Sequence, residues 1–136
     1  QEARRQRQMC IRDSLKALHR QKPDIRRFVK DVEEAIILSL KYYGIEAFRH
    51  PNHIGIWTKG AKGNLCKIAS VGLSVKKWVT MHGISINVNN NLDGYNNIVP
   101  CGIKDCEMIS ISKLLSKTID MQQFKNVLLG NLREIL

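Results

Sequence analysis

Cys66-Lys67-Ile68-Ala69-Ser70-Val71-Gly72-Leu73-Ser74-Val75-Lys76-Lys77-Trp78-Val79-Thr80-Met81-His82-Gly83-Ile84-Ser85-Ile86-Asn87-Val88 decides the fold class. Its two runs, Lys67 to about Val75 and Val79 to about Val88, read as strands of a hairpin with Lys76-Lys77 near the turn. Strict alternation places Lys67, Ala69, Val71, Leu73 and Val75 on one face of the first strand. Ser70, Gly72, Ser74 and Lys76 then fall on the other face with Ile68. In the second strand Thr80, His82, Ile84, Ile86 and Val88 share a face, with Met81, Gly83, Ser85 and Asn87 opposite. Gly72 and Gly83 interrupt the strands where a ligand or another backbone comes close.

Upstream, Pro23-Asp24 is a helix start, with Asp24 able to cap the first turn. Ile25, Phe28, Val29, Val32, Ala35, Ile36, Leu40 and Tyr43 follow at helical spacing, and Gly44 ends the run. Short strands are expected at 45–49 and 53–58, joined by a turn at Pro51-Asn52, with a loop over 59–64. Downstream, Asn89-Asn90-Asn91-Leu92-Asp93-Gly94 is turn-rich. Ser112 is expected to open a short helix, and Asp120 with Gln123 makes a capping-box-like start for a last helix bearing Phe124, Val127, Leu128, Leu132 and Ile135. This order predicts an α+β domain with a mixed, partly antiparallel sheet flanked by helices. Residues 1–14 have no clear hydrophobic period and read as a non-native or disordered basic segment. Residues 15–136 form the coherent domain.

At 136 residues the chain can bury a core without metals or disulfides. No apolar run approaches the roughly 18 residues a membrane span needs, so no membrane partner is expected. The four cysteines, Cys10, Cys66, Cys101 and Cys106, fit no zinc pattern, and a reduced, cytoplasmic protein is the default, with a Cys101–Cys106 disulfide as the alternative. Of the net charge of +10, about seven lie in residues 1–30, which hold ten Lys/Arg against three acids. The pattern lacks the interleaved aromatics and recognition helix of a nucleic-acid binder. Either a solvated basic face or a docking surface for an acidic carrier protein fits it.

Chemistry concentrates at two places. Cys101, framed as Val99-Pro100-Cys101-Gly102-Ile103, sits in a rigid turn that can present a thiol. Lys67 opens the apolar strand, either as a strand-end lysine snorkelling to water or as an ammonium tuned by its surroundings. A lysine about 4 Å from a thiol contributes on the order of 4 kcal/mol to the thiolate at an effective dielectric near 20. That suffices to activate the cysteine. His82 reads as a hydrogen-bonded core residue. His50-Pro51-Asn52-His53 pairs two histidines, but the proline breaks the helical spacing of common zinc sites. Gly60-Ala61-Lys62-Gly63 lacks the spacing and closing Lys-Ser/Thr of a phosphate loop. Neither metal nor cofactor is expected.

Three stretches, Lys67–Gly72, His82–Val88 and Pro100–Ile103, resemble in order and spacing the motifs of the lipoyl(octanoyl) transferases. Pro23–Val29 and Gly55-Ile56-Trp57 agree with the same family. The resemblance implies a fold similar to the catalytic domain of biotin and lipoate protein ligases. It also implies transfer of an octanoyl group from acyl carrier protein to a lysine of lipoyl domains, in 2-oxoacid dehydrogenases or the glycine-cleavage H protein, as a step of lipoate biosynthesis. Carried over, Cys101 is the nucleophile that forms a thioester intermediate and Lys67 its acid/base. Ser70, Val71, Gly72, Gly83, Ile84 and Ser85 match acyl-substrate contacts.

The family's Arg-Gly-Gly and Tyr-His-Gly-Pro-Gly-Gln segments, which help wall the acyl pocket, do not occur in this sequence. The reading is therefore of the C-terminal part of an octanoyltransferase catalytic domain, N-terminally truncated. The alternative is a catalytically inactive remnant that binds acidic carrier or lipoyl domains through Arg26, Arg27, Lys30, Lys76 and Lys77.

Overall fold

The computed structural model describes residues 8–11, 24–76, 79–92 and 106–136, with the backbone alone for 8–11, 73–76 and 79–82. The first helix, α1 (Ile25–Tyr42), starts where the Asp24 carboxylate accepts the Arg27 amide at 3.1 Å. Phe28, Val32, Ala35, Ile36, Ser39 and Leu40 are its buried positions, a stripe that recurs every three to four residues. Gly44, at φ +78°, closes it. Its amide donates to the Lys41 carbonyl and the next amide, Ile45, donates to Leu40, so two terminal carbonyls are satisfied.

Strands β2 (Ala47–Arg49) and β3 (Ile56–Lys59) follow. Then come β4 (Leu65–Lys76) and β5 (Val79–Asn87), the expected hairpin. Residues 53–55, expected in a strand, stand outside β3. Residues 8–11 form the strand β1 (Gln8–Ile11), which pairs antiparallel with β5. Among the described residues the sheet has six strands in the order β1-β5-β4-β3-β2, all antiparallel except β6 (Glu107–Met108), which runs parallel to β4. The α+β class with a mixed sheet flanked by helices is thus the observed one.

The short helix α2 (Ile111–Leu115) is capped by Ser110, whose hydroxyl accepts the Lys113 amide at 3.2 Å. The expected opener, Ser112, lies inside the first turn, because the cap residue must keep an extended backbone and Ser110 does so at φ −115°, ψ 159°. Asp120 caps α3 (Met121–Ile135) through the Gln122 and Gln123 amides. Phe124 and Leu128 bury the inner face of α3 in a core shared with α1 and one face of the sheet. The Asn131 amide donates to Ser39, which itself donates to the Ala35 carbonyl. That bond ties the two helices across 92 residues.

Two features of this core yield tests. The Asn89 side chain clasps Ile119, donating to its carbonyl at 2.7 Å and accepting its amide at 2.9 Å. Asn89→Ala leaves both backbone groups without these partners, and urea titration should find it about 1–3 kcal/mol less stable than the parent. Second, burial, reinforced by the Glu107 carboxylate, pushes the Cys66 thiol up from its ordinary range. Folded Cys66 therefore keeps its proton where the unfolded chain releases it, so stability falls as pH rises past the usual thiol value near 8.5. Urea midpoints taken from pH 7 to 10 should decline for the parent and decline less steeply for Cys66→Ala.

Candidate active site

Lys67 owes its position to an irregularity in the sheet. Between β3 and β4 the register shifts by one residue at Ile56/Trp57: Ile56 pairs with Ala69, whereas Trp57 pairs with Lys67, leaving Ile68 as the extra residue. Cys66, Ile68 and Ala69 all belong to the helix-side core, at 0%, 0% and 1% exposure. Two successive core residues, Ile68 and Ala69, invert the alternation of everything before them. Lys67 therefore leaves the face it was expected to share with Ala69 and Val71. It emerges on the face opposite the helices, beside its ladder partner Trp57.

From Ala69 onward the β4–β5 ladder is regular, and successive rungs alternate. Ala69↔Ile86 and Val71↔Ile84 face the helix-side core. The rungs between and beyond them, Ser70↔Ser85 and Gly72↔Gly83, face away from it. The irregularity thus gathers Lys67, Ser70, Gly72, Gly83 and Ser85 onto one face, where simple alternation set Lys67 apart from the others. Val71 and Ile84 are on the opposite face, Ile84 buried and Val71 partly buried against the same core. The two strand glycines lie directly across from one another, so the backbone each was expected to approach includes the other's.

The Lys67 ammonium stands 5.6 Å above the Trp57 ring centroid, a cation–π arrangement. Trp57 is fully buried, and the rings of His50 and His53 each lie 6.1 Å from it. The two imidazoles are 4.5 Å apart, and His50 Nδ1 accepts the Asn52 amide at 3.2 Å. Among the described residues no group of three or more His, Cys, Asp or Glu could hold a metal ion. A cleft of about 450 Å³ opens beside this cluster, walled by Val29, Arg49, His53, Ile54, Gly55 and Val71. Arg49 fixes its rim by donating to Glu33 at 2.8 Å, and to Glu34 and the Lys30 carbonyl at 2.9 Å.

Gly55 joins the cleft to the lysine. Its φ of +116° is one that residues with side chains rarely adopt. A Cβ there would sit 2.7 Å from Lys67 Cε and 2.8 Å from the Ala69 carbonyl oxygen. In the sequence Trp57 and Gly55 are flanking strand residues. Their nearness to Lys67 follows from β3–β4 pairing, for which the only local signal is a glycine at the start of a strand.

Cys101 lies outside the described residues, as does the Pro-Cys-Gly turn, and the His82 side chain is likewise outside the description. The chain is described again from Cys106. There β6 pairs Met108 with Lys67, and the Ile109 amide donates to the Lys67 carbonyl at 2.9 Å. Four residues separate Cys101 from this strand's lead-in at Cys106.

The octanoyltransferase of Rickettsia prowazekii (strain Madrid E) is 38% identical over 112 residues, which cover 82% of this chain and 53% of that protein. The chain spans about half the length of the curated relatives it matches. Among solved structures, the biotin protein ligase of Aquifex aeolicus superposes with a TM-score of 0.63 at 15% identity, over 94% of this chain and 50% of that one. A lipoate-protein ligase A crystallised with ATP superposes with a TM-score of 0.60 at 18% identity, over 85% and 47%. These likenesses carry the fold, and no helix of the described residues is long and apolar enough to cross a membrane. Residues 14–133 match the model of the lipoyl protein ligase A/B catalytic domain, and the chain belongs to that family.

Proposed function

We propose that the chain carries the acyl-transfer centre of an octanoyltransferase acting in the cytoplasm. Its octanoyl donor is acyl carrier protein, and its acceptor is a lysine of a lipoyl domain, in lipoate biosynthesis. The observation that carries this reading is the shared face of Lys67, Ser70, Gly72, Gly83 and Ser85. A cationic acid/base there borders a strip whose glycines leave room for an acyl chain. The identity to octanoyltransferases supports the same reading.

In the first step the Cys101 thiolate attacks the carrier-protein thioester. The Lys67 ammonium protonates the departing pantetheine sulfur, leaving an acyl-cysteine and a neutral lysine. In the second step the acceptor amine attacks the acyl-cysteine. The Cys101 thiolate leaves, and Lys67 takes the proton that the new amide releases. The thiolate–ammonium pair is thereby restored. Thioester to amide is downhill, so these two steps need neither nucleotide nor metal. Backbone amides near Cys101 and Gly102 are the proposed oxyanion donors. Ser70 and Ser85 border the acyl group from the lysine's face, while Val71 and Ile84 support the strip from beneath. The β6–β4 pairing is in keeping with the dyad, since Met108, the ladder partner of Lys67, follows Cys101 by seven residues, a tether of at most about 25 Å.

Protein carrying this chain, incubated with octanoyl-loaded acyl carrier protein, should gain one octanoyl group by intact mass. Cys101→Ser should gain no thioester-linked group. Lys67→Ala should slow transfer to a lipoyl domain about 10²–10⁴-fold. A mass gain that persists unchanged in Cys101→Ser would overturn the mechanism. Salt-sensitive binding of carrier protein without acylation would favour the binding remnant instead.

A further inference from the structure

We infer that Trp57 and Gly55 are positioning residues that hold the Lys67 ammonium over the sheet face. The inference rests on the reading of Lys67 as the proton-transfer group, and three observations lead to it. Trp57 is the ladder partner of Lys67, so its ring is the surface on which that side chain lies. The ammonium is 5.6 Å above the ring centroid, within the range in which the negative ring face attracts a cation. Gly55 also approaches Lys67, so closely that a methyl group there would fall 2.7 Å from Cε and 3.3 Å from Nζ. The lysine therefore lies in a slot with an aromatic floor and a backbone wall, and the slot restricts a side chain that otherwise has four rotatable bonds.

The polar edge of Trp57 points to the same role. Its indole Nε1–H is buried and has no hydrogen-bond partner among the described residues. A buried donor left unsatisfied costs about 1–3 kcal/mol, so an indole kept only to fill volume would be better replaced by a phenyl ring. What tryptophan adds over phenylalanine, besides that donor, is a larger and more electron-rich face, and that face is turned to the ammonium. His50 and His53, each 6.1 Å from the indole, buttress the ring.

Holding the ammonium matters because Lys67 must serve two different proton transfers from one position. A misplacement of about 1 Å is enough to cost a factor on the order of 10² in rate. Trp57→Leu, which removes the ring face, should lower the transfer rate constant kcat about 10- to 100-fold with KM little changed. Trp57→Phe, which restores an aromatic face and removes the orphan donor, should recover most of that loss. Gly55→Ala should behave like Trp57→Leu.

The decisive readout needs no variant. In the parent protein the Lys67 ε-methylene protons should resonate upfield of ordinary lysines because of the indole ring current, and an ordinary shift there would overturn the inference. If Trp57→Leu is folded by circular dichroism and keeps kcat, the inference also fails. If Trp57→Leu does not fold, Trp57→Phe and the parent ring-current shift decide. Lys67→Ala run alongside separates the two claims. Full activity in Lys67→Ala sinks the proton-transfer reading itself, whereas a slow Lys67→Ala with a fast, folded Trp57→Leu sinks only the slot.

Discussion

The extra residue at Ile68 is the constraint on which the rest of the molecule turns. A strand has a side-chain period of two, so inserting one residue reverses the faces of everything on one side of the insertion. Here the reversal places Cys66 and Ile68 in the helix-side core beside Ala69, and in compensation sends Lys67 to the other face. Without it, the first residue of the β4 motif would carry an ammonium toward the apolar underside of α1. With it, an apolar core and a cationic group on the opposite face come from adjacent residues of one strand.

Several other contacts hold the strands around that point. Arg49 pins the end of β2 to α1 through Glu33, Glu34 and the Lys30 carbonyl. β6 lies along β4 at Cys66 and Lys67, so the chain returning from the Pro-Cys-Gly segment pairs beside the lysine. The Asn89–Ile119 clasp joins the end of β5 to the cap of α3. These bonds link segments far apart in sequence.

The family relationship and the geometry bear on different questions. Structural likeness to biotin and lipoate protein ligases at 13–18% identity speaks for the architecture alone. The identity to octanoyltransferases is higher, yet it covers only about half of those proteins. The chemistry attributed to the site therefore rests on the residues themselves: a lysine turned onto a glycine-bearing sheet face, with an indole beneath it.

Much of the fold was legible in local sequence, because its signals are local. The Asp24, Gly44 and Asp120 helix boundaries, the spacing of Phe28 to Leu40 and the β4–β5 hairpin all follow from caps and periodicity. The motif residues Lys67, Ser70, Gly72, Gly83 and Ser85 were equally visible one by one. Lys67's place on the face of the other four was not, because alternation counts residues along one strand, whereas the irregularity exists only in the pairing of β4 with β3. The same holds for Trp57 and Gly55 at Lys67 and for the β1 pairing of residues 8–11. Sequence by itself determined which segments are strands and helices and which side chains have chemistry to offer. Tertiary structure alone decided which of them meet, because strand register is settled between chain segments by the burial of a shared face and by backbone hydrogen bonds, not within either segment.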